Sequence, residues 1–168
     1  ETAHKVGQHI KYDKHVLANH GIAARGFVHD TLLQSYVLEA HLNHSLEKLA
    51  ERHLGRKGLS YEDLCGKGAH QITFSQVDVN KAAEYSGEDS EMTLGVHRVL
   101  WPQLGADAKQ RFIYEAIEMP VSDLLQRIED FLDHHSPPFI AKVYRPAPAE
   151  VVKSSTAAGR VEIWFPKY

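Results

Sequence analysis

The chain is 168 residues long, 43% hydrophobic and 24% charged, with a formal net charge of -3 and 12 histidines. That length supports one domain with a core of its own, and the weakly acidic balance excludes a protein-wide basic field for nucleic acid. A single cysteine, Cys65, excludes an internal disulfide and a thiolate zinc cluster, and no apolar run reaches the roughly 18 residues of a membrane helix. Any contact with DNA therefore has to be local, in a groove. The opening ETAHKVGQHI has no signal-peptide pattern, and the chain reads as soluble and cytoplasmic.

Residues 5–10 form a short, partly apolar stretch, followed by a helix over 12–19 that ends near Gly21. Asp30-Thr31 opens a second helix, in which Leu32, Leu33, Tyr36 and Val37 share a face at helical spacing. Ser45 is the expected N-cap of a helix over 46–54, with Leu46, Leu49, Ala50 and His53 along one side. Gly55 and Gly58 bracket the next turn, and the pattern breaks into a loop around Gly66, Gly68 and Gln71. Asp78 then caps a long helix from 79 to about 100, closed by Trp101-Pro102. Helices over 106–118 and 121–132 follow, separated at Pro120. From about 134 the composition changes. Two β-like runs, 139–144 and 161–165, flank the stretch RPAPAEVVKSSTAAGR, which reads as a linker or long loop. The expected organisation is a helix-rich body over 1–133 and a divergent tail over 134–168.

Few residues advertise chemistry unaided. Tyr85 and Asp89 lie four apart in the long helix and so share a face one turn apart. A phenol beside a carboxylate suits phosphodiester hydrolysis, the carboxylate holding a divalent cation and the phenol orienting water. The same spacing also arises from a half-buried aromatic beside a solvated charge. Gly87, between them, weakens the helix by roughly 1 kcal/mol relative to Ala; close approach of another backbone or a substrate and plain tolerance both account for it. Asp13 reads either as a charge favoured by a helix N-terminus or as an oxygen ligand for Mg²⁺ or Mn²⁺. Asp30 carries the same two readings, with capping favoured. The histidines supply no H-E-x-x-H motif and no zinc-ligand spacing with cysteine.

In order, these features match a family. The run GQHIKYDKHVLANHGIAARGFVHDTLLQSYVL resembles the second exonuclease motif of bacterial DNA polymerase I (family A) and the helix after it. LEKLAERHL and LSYEDLCGKGAHQITF resemble the segment that follows, and EYSGEDSEMTL is similar to the third motif, Tyr, three residues, Asp. IEMPVSDLLQRIE resembles the hinge leading on toward the polymerase domain. The resemblance, to the 3′→5′ proofreading exonuclease domain, runs from residue 6 to residue 130.

It implies an α/β fold of the ribonuclease-H-like (DnaQ-like) class, helix-rich and incomplete at its N-terminal strands. Asp13 and Asp89 match the metal-binding carboxylates of the second and third motifs, and Tyr85 matches the tyrosine that positions the attacking water. Gln8 and His9 stand where the family has Gln-Asn at the DNA strand end, so His9 is a departure. Leu32, Tyr61 and Tyr85 join them as implied contacts of the single strand, Tyr61 by stacking on a base. The family's first motif, an Asp-x-Glu on the opening strand, has no counterpart on a β-like run here. Because paired cations need several carboxylates against their mutual repulsion, at most one Mg²⁺ or Mn²⁺ is expected, where the family binds two. The expected partners are a single-stranded DNA 3′ end and the rest of a polymerase chain, with self-association as a further possibility. Two other classes stay open: a non-catalytic exonuclease-like scaffold module, and a His-rich metal-binding protein.

Overall fold

The computed structural model describes residues 3–135, 151–156 and 159–164. These fall into two compact units, Glu1–Gln126 and Arg127–Tyr168.

The first unit begins with a β-α-β crossover. Strand β1 (Lys5–Gly7) leads through helix α1 (Ile10–Asn19) to strand β2 (Phe27–Asp30). The strands pair in parallel, with Val6 opposite His29 and Gly7 opposite Asp30. Parallel neighbours require a crossover of this kind, and α1 supplies it. Helix α1 starts at Ile10, earlier than the expected 12, because the Asp30 carboxylate accepts hydrogen bonds from the backbone N–H groups of His9 and Ile10. A helix start fixed from a distant strand leaves no mark in the local sequence.

Helix α2 (Thr31–Glu39) opens where expected, with Asp30 capping the N–H of Leu32. Helix α3 (Leu46–Leu54) has Ser45 as its N-cap and buries Leu49 and Ala50. A short helix α4 (Tyr61–Cys65) and two single 3₁₀ turns, Gly68–His70 and Phe74–Gln76, fill the loop that follows. The long helix α5 (Val79–Ala106) is capped by Asp78. It passes through Pro102 instead of stopping at 100. Leu100 and Leu104 are both fully buried, and carrying the helix one more turn is what buries Leu104. Each such side chain contributes about 2 kcal/mol, enough to offset most of a proline's cost near a helix end.

Leu49, Val96 and Leu100 form the core where α3 meets α5, with Leu38, Leu46 and Leu54 packed around it. Close approach depends on Gly95, where a Cβ would sit 2.9 Å from Leu54 Cδ1. Beyond Asp107, helix α6 (Ala108–Phe112) runs through a π-helical turn (Ile113–Glu118) into helix α7 (Met119–His135). The break expected at Pro120 does not occur. The π turn ends just before that proline, and such a turn lets a helix absorb a missing N–H. Lys14 on α1 pairs with Asp123 on α7 at 2.6 Å.

In the second unit, strand β3 (Val151–Thr156) pairs antiparallel with β4 (Gly159–Trp164). This corrects the linker reading: β3 lies in the stretch between the two β-like runs and is the partner of the last of them. A hairpin closed over two residues costs far less loop entropy than a pairing across the whole stretch, and Val151, Val152 and Thr156 suit a strand. The run 139–144 lies outside the described residues. Among the described residues no helix is long and apolar enough to cross a membrane. The observed fold is thus a helix-rich α/β arrangement with a small parallel sheet in its first unit.

Candidate active site

A cleft of about 450 Å³ opens beside β1 in the first unit, with Gln8, Asp13, Asp89 and Thr93 among its polar lining and Val6 and Leu46 on its apolar wall. Asp13 comes from α1 and Asp89 from α5, so the fold brings two carboxylates from distant parts of the chain into one concavity. Asp13 is exposed at this mouth. Desolvation by the surrounding walls, followed by the charge of Asp30, pushes its carboxyl up to about 6. Burial also raises Asp89, while a hydrogen bond from Tyr85 holds it down. The Tyr85 phenol is pushed up to about 12, by burial first and the Asp89 charge second. Tyr85 therefore stays a neutral donor at every physiological pH, and a donor is what an ionised Asp89 needs.

Two further aromatic rings extend from this pair. Phe74 meets Tyr85 edge-on with ring centroids 6.2 Å apart, and Tyr61 stacks on Phe74 at 6.3 Å. Tyr61 and Phe74 are both exposed, which leaves their faces open to a planar group. Phe74 was not singled out in the sequence. Its signal there, an isolated aromatic in a loop, is indistinguishable from many others.

The remaining expected contacts are placed differently. Gln8 lines the cleft, but its amide is already engaged, donating to the His44 carbonyl at 2.8 Å and accepting from the Thr31 hydroxyl. His9 sits at the turn into α1 and stacks against Tyr12. Leu32 lies in the first turn of α2, half-buried, and is not part of the cleft lining.

The donor set bears on what the cleft can hold. A hard cation such as Mg²⁺ takes one or two protein carboxylates and fills its other positions with water or phosphate oxygen. Asp13 and Asp89 fit part of one such site. Among the described residues no group of three or more His, Cys, Asp or Glu is gathered for a metal.

A carboxylate pair with an adjoining phenol, set between a crossover helix and a long helix of an α/β unit, is the outline of a metal-assisted nuclease. Residues 1–105 match the family described as 3′-5′ exonuclease, and the chain belongs to that family. Metal dependence is general in it. Similar proteins include the DNA polymerase I of Pseudomonas aeruginosa, 44% identical over 128 residues, a match covering 74% of this chain and 14% of that protein. The DNA polymerase I of Rhizobium leguminosarum is 40% identical over 130 residues, covering 77% and 13%. That of Synechocystis is 38% identical over 127 residues, covering 75% and 13%. The chain thus spans 13 to 14% of the length of these curated relatives.

Proposed function

We propose that this chain is the proofreading module of a DNA polymerase I, a ribonuclease-H-like exonuclease fragment that releases the 3′-terminal nucleotide from single-stranded or mismatched DNA ends. The observation that carries this reading is the meeting of Asp13 and Asp89 in one cleft, with Tyr85 bonded to Asp89. Asp13 and Asp89 would hold one Mg²⁺ or Mn²⁺, which when bound supplies charge for the phosphate oxygens and a more acidic water. Tyr85 orients the attacking water through its hydroxyl. Tyr61 receives a base of the frayed strand on its exposed face, in a mode tolerant of sequence. The rest of a DNA polymerase I chain is the natural partner, since the relatives carry that name and extend far beyond the matched region.

The described strands carry no Asp-x-Glu, so with Asp13 and Asp89 alone charge compensation in the cleft is incomplete and this chain by itself should cleave slowly. The test is release of the 3′-terminal nucleotide from a labelled single strand in Mg²⁺ or Mn²⁺. A peptide bearing the Asp-x-Glu strand, supplied in trans, should raise the rate. Asp13→Ala and Asp89→Ala should each then lower it on the order of a hundredfold. Cleavage that survives both substitutions would sink the assignment and favour the scaffold reading.

A further inference from the structure

The turn that carries the chain from β1 into α1 is held at four successive positions by two neighbouring buried residues. Asp30 and Thr31 are 1% and 0% exposed. The Thr31 hydroxyl lies 3.1 Å from the Gly7 carbonyl oxygen and also in hydrogen-bond contact with the Gln8 side-chain oxygen, its single proton shared between them. Asp30 Oδ1 accepts from the N–H of His9 at 2.9 Å and Oδ2 from that of Ile10 at 2.9 Å. Oδ1 also caps α2 through Leu32 N–H at 2.9 Å.

His9 explains why the turn needs holding. Among the described residues it is the one non-glycine with a positive φ, 62°. That left-handed conformation costs a side-chain-bearing residue about 1–2 kcal/mol. It also points two consecutive N–H groups the same way, forming a concavity that suits an anion. The Asp30 carboxylate fills it. Asp30 is anchored in turn, since its own N–H donates to the Tyr114 hydroxyl at 2.9 Å and Tyr114 is fully buried.

Residues on both sides of this turn face the cleft. Gly7 and Gln8 line it before the turn and Asp13 after it, one helical turn beyond Ile10. A shift of α1 about its clamped end would carry Asp13 away from Asp89. We propose that Asp30 and Thr31 act as a positioning clamp for Asp13, setting the start and direction of α1 so that the Asp13 carboxylate shares a cation with Asp89. This rests on the reading of Asp13 and Asp89 as ligands of one divalent cation.

The experiment measures Mn²⁺ binding to the 168-residue chain by the loss of the free-ion paramagnetic resonance signal, at a temperature where each variant is folded by circular dichroism. Asp30→Asn should weaken binding about tenfold, because an amide has one acceptor oxygen where the carboxylate has two: with that oxygen serving His9 and Leu32, the NH2 group faces the Ile10 N–H. Thr31→Val, isosteric and lacking only the hydroxyl, should weaken it about threefold, and Thr31→Ser should restore it. Leu104→Ala, destabilised in the core at the far end of α5, should bind as the parent does. If Asp30→Asn fails to fold, the Thr31 series decides. Parent-like binding in Thr31→Val and in folded Asp30→Asn, while Asp13→Asn binds poorly, would overturn the clamp and leave the site assignment standing. Binding that is absent from the parent, or indifferent to Asp13→Asn, would overturn the cation reading and the clamp together.

Discussion

The Tyr114 hydroxyl accepts a 2.9 Å hydrogen bond from the backbone N–H of Asp30, tying the π-helical turn to the end of β2. The same hydroxyl lies 3.5 Å from the Gln34 amide and 3.4 Å from His29 Nδ1. Among the described residues it is the side chain that accepts from that buried N–H. Tyr114→Phe would keep the ring packing and orphan the donor, and a buried unpaired donor costs about 1–3 kcal/mol. Urea unfolding of the variant should show a lower midpoint with an unchanged slope. An unchanged midpoint would mean that water or a backbone shift takes over the bond.

The bond from Tyr85 works against the burial of Asp89. Removing the hydroxyl in Tyr85→Phe leaves desolvation unopposed, so the Asp89 carboxyl should titrate higher than in the parent. Mn²⁺ binding by the variant should accordingly weaken most at mildly acidic pH, where protons compete for Asp89, and least near pH 8. Carbon-detected titration of labelled aspartate follows the carboxyl directly. A downward movement would mean that the phenol does not hold the Asp89 carboxyl down.

Asp13 is held at about 6 in the fold against an ordinary value of 3.8. The folded chain therefore binds a proton more tightly than the unfolded one. Its contribution to stability is fullest below about 4 and is lost as the pH rises through 6. Asp13→Asn should abolish this dependence, raising the thermal midpoint relative to the parent at pH 7 and leaving it nearly equal at pH 4. A stabilising substitution at Asp13 would be the expected mark of a residue kept for the proposed function and not for stability.

The histidine cluster titrates with the opposite sign. His97 stacks on His29 with ring centroids 4.6 Å apart, and Trp101 lies 4.3 Å from His29. Burial, then His29 and Arg98, push His97 down to about 4 from 6.5. Burial lowers His29 as well, against the pull of Glu115. The unfolded chain takes up these protons first, so stability is full above about 6.5 and declines as the pH falls toward 4. His97→Gln should flatten that decline in thermal midpoints measured across the range. A parent-like slope would place the acid sensitivity elsewhere.

What the sequence made legible follows from how far each cause reaches. Ser45 and Asp78 cap helices through their own neighbours, and both helices begin where those residues predict. Tyr85 and Asp89 meet because one helical turn separates them. Asp30 was legible by half: its bond to Leu32 is local, whereas its bonds to His9 and Ile10 need β1 and β2 to pair first. Strand β2 itself was missed, since Phe27–Asp30 is short and carries a histidine and an aspartate. Pro102 misled because the burial of Leu104, which carries the helix past it, is a tertiary fact. Nor does spacing bring Asp13 to Asp89. Only family resemblance suggested their partnership, and the packing of α5 against β1, which brings Asp89 to the cleft that Asp13 enters from α1, is not written in any local pattern.

Gly87 has two readings, room for another group to approach and plain tolerance of a glycine. A Cβ built there meets no atom within 4 Å, so no neighbouring backbone requires the position to be bare. It lies two residues from both Tyr85 and Asp89, which is about 200° around the helix and so on the far side from the cleft. The remaining effect is intrinsic: glycine in a helix interior costs about 1 kcal/mol relative to alanine. Gly87→Ala should stabilise the chain by about that amount, visible as a rise of a few degrees in the thermal midpoint. Its affinity for a single-stranded oligonucleotide, followed by fluorescence anisotropy, should not change. A stabilised variant that binds the strand more weakly would show that DNA passes over this face of α5, away from the exposed rings of Tyr61 and Phe74.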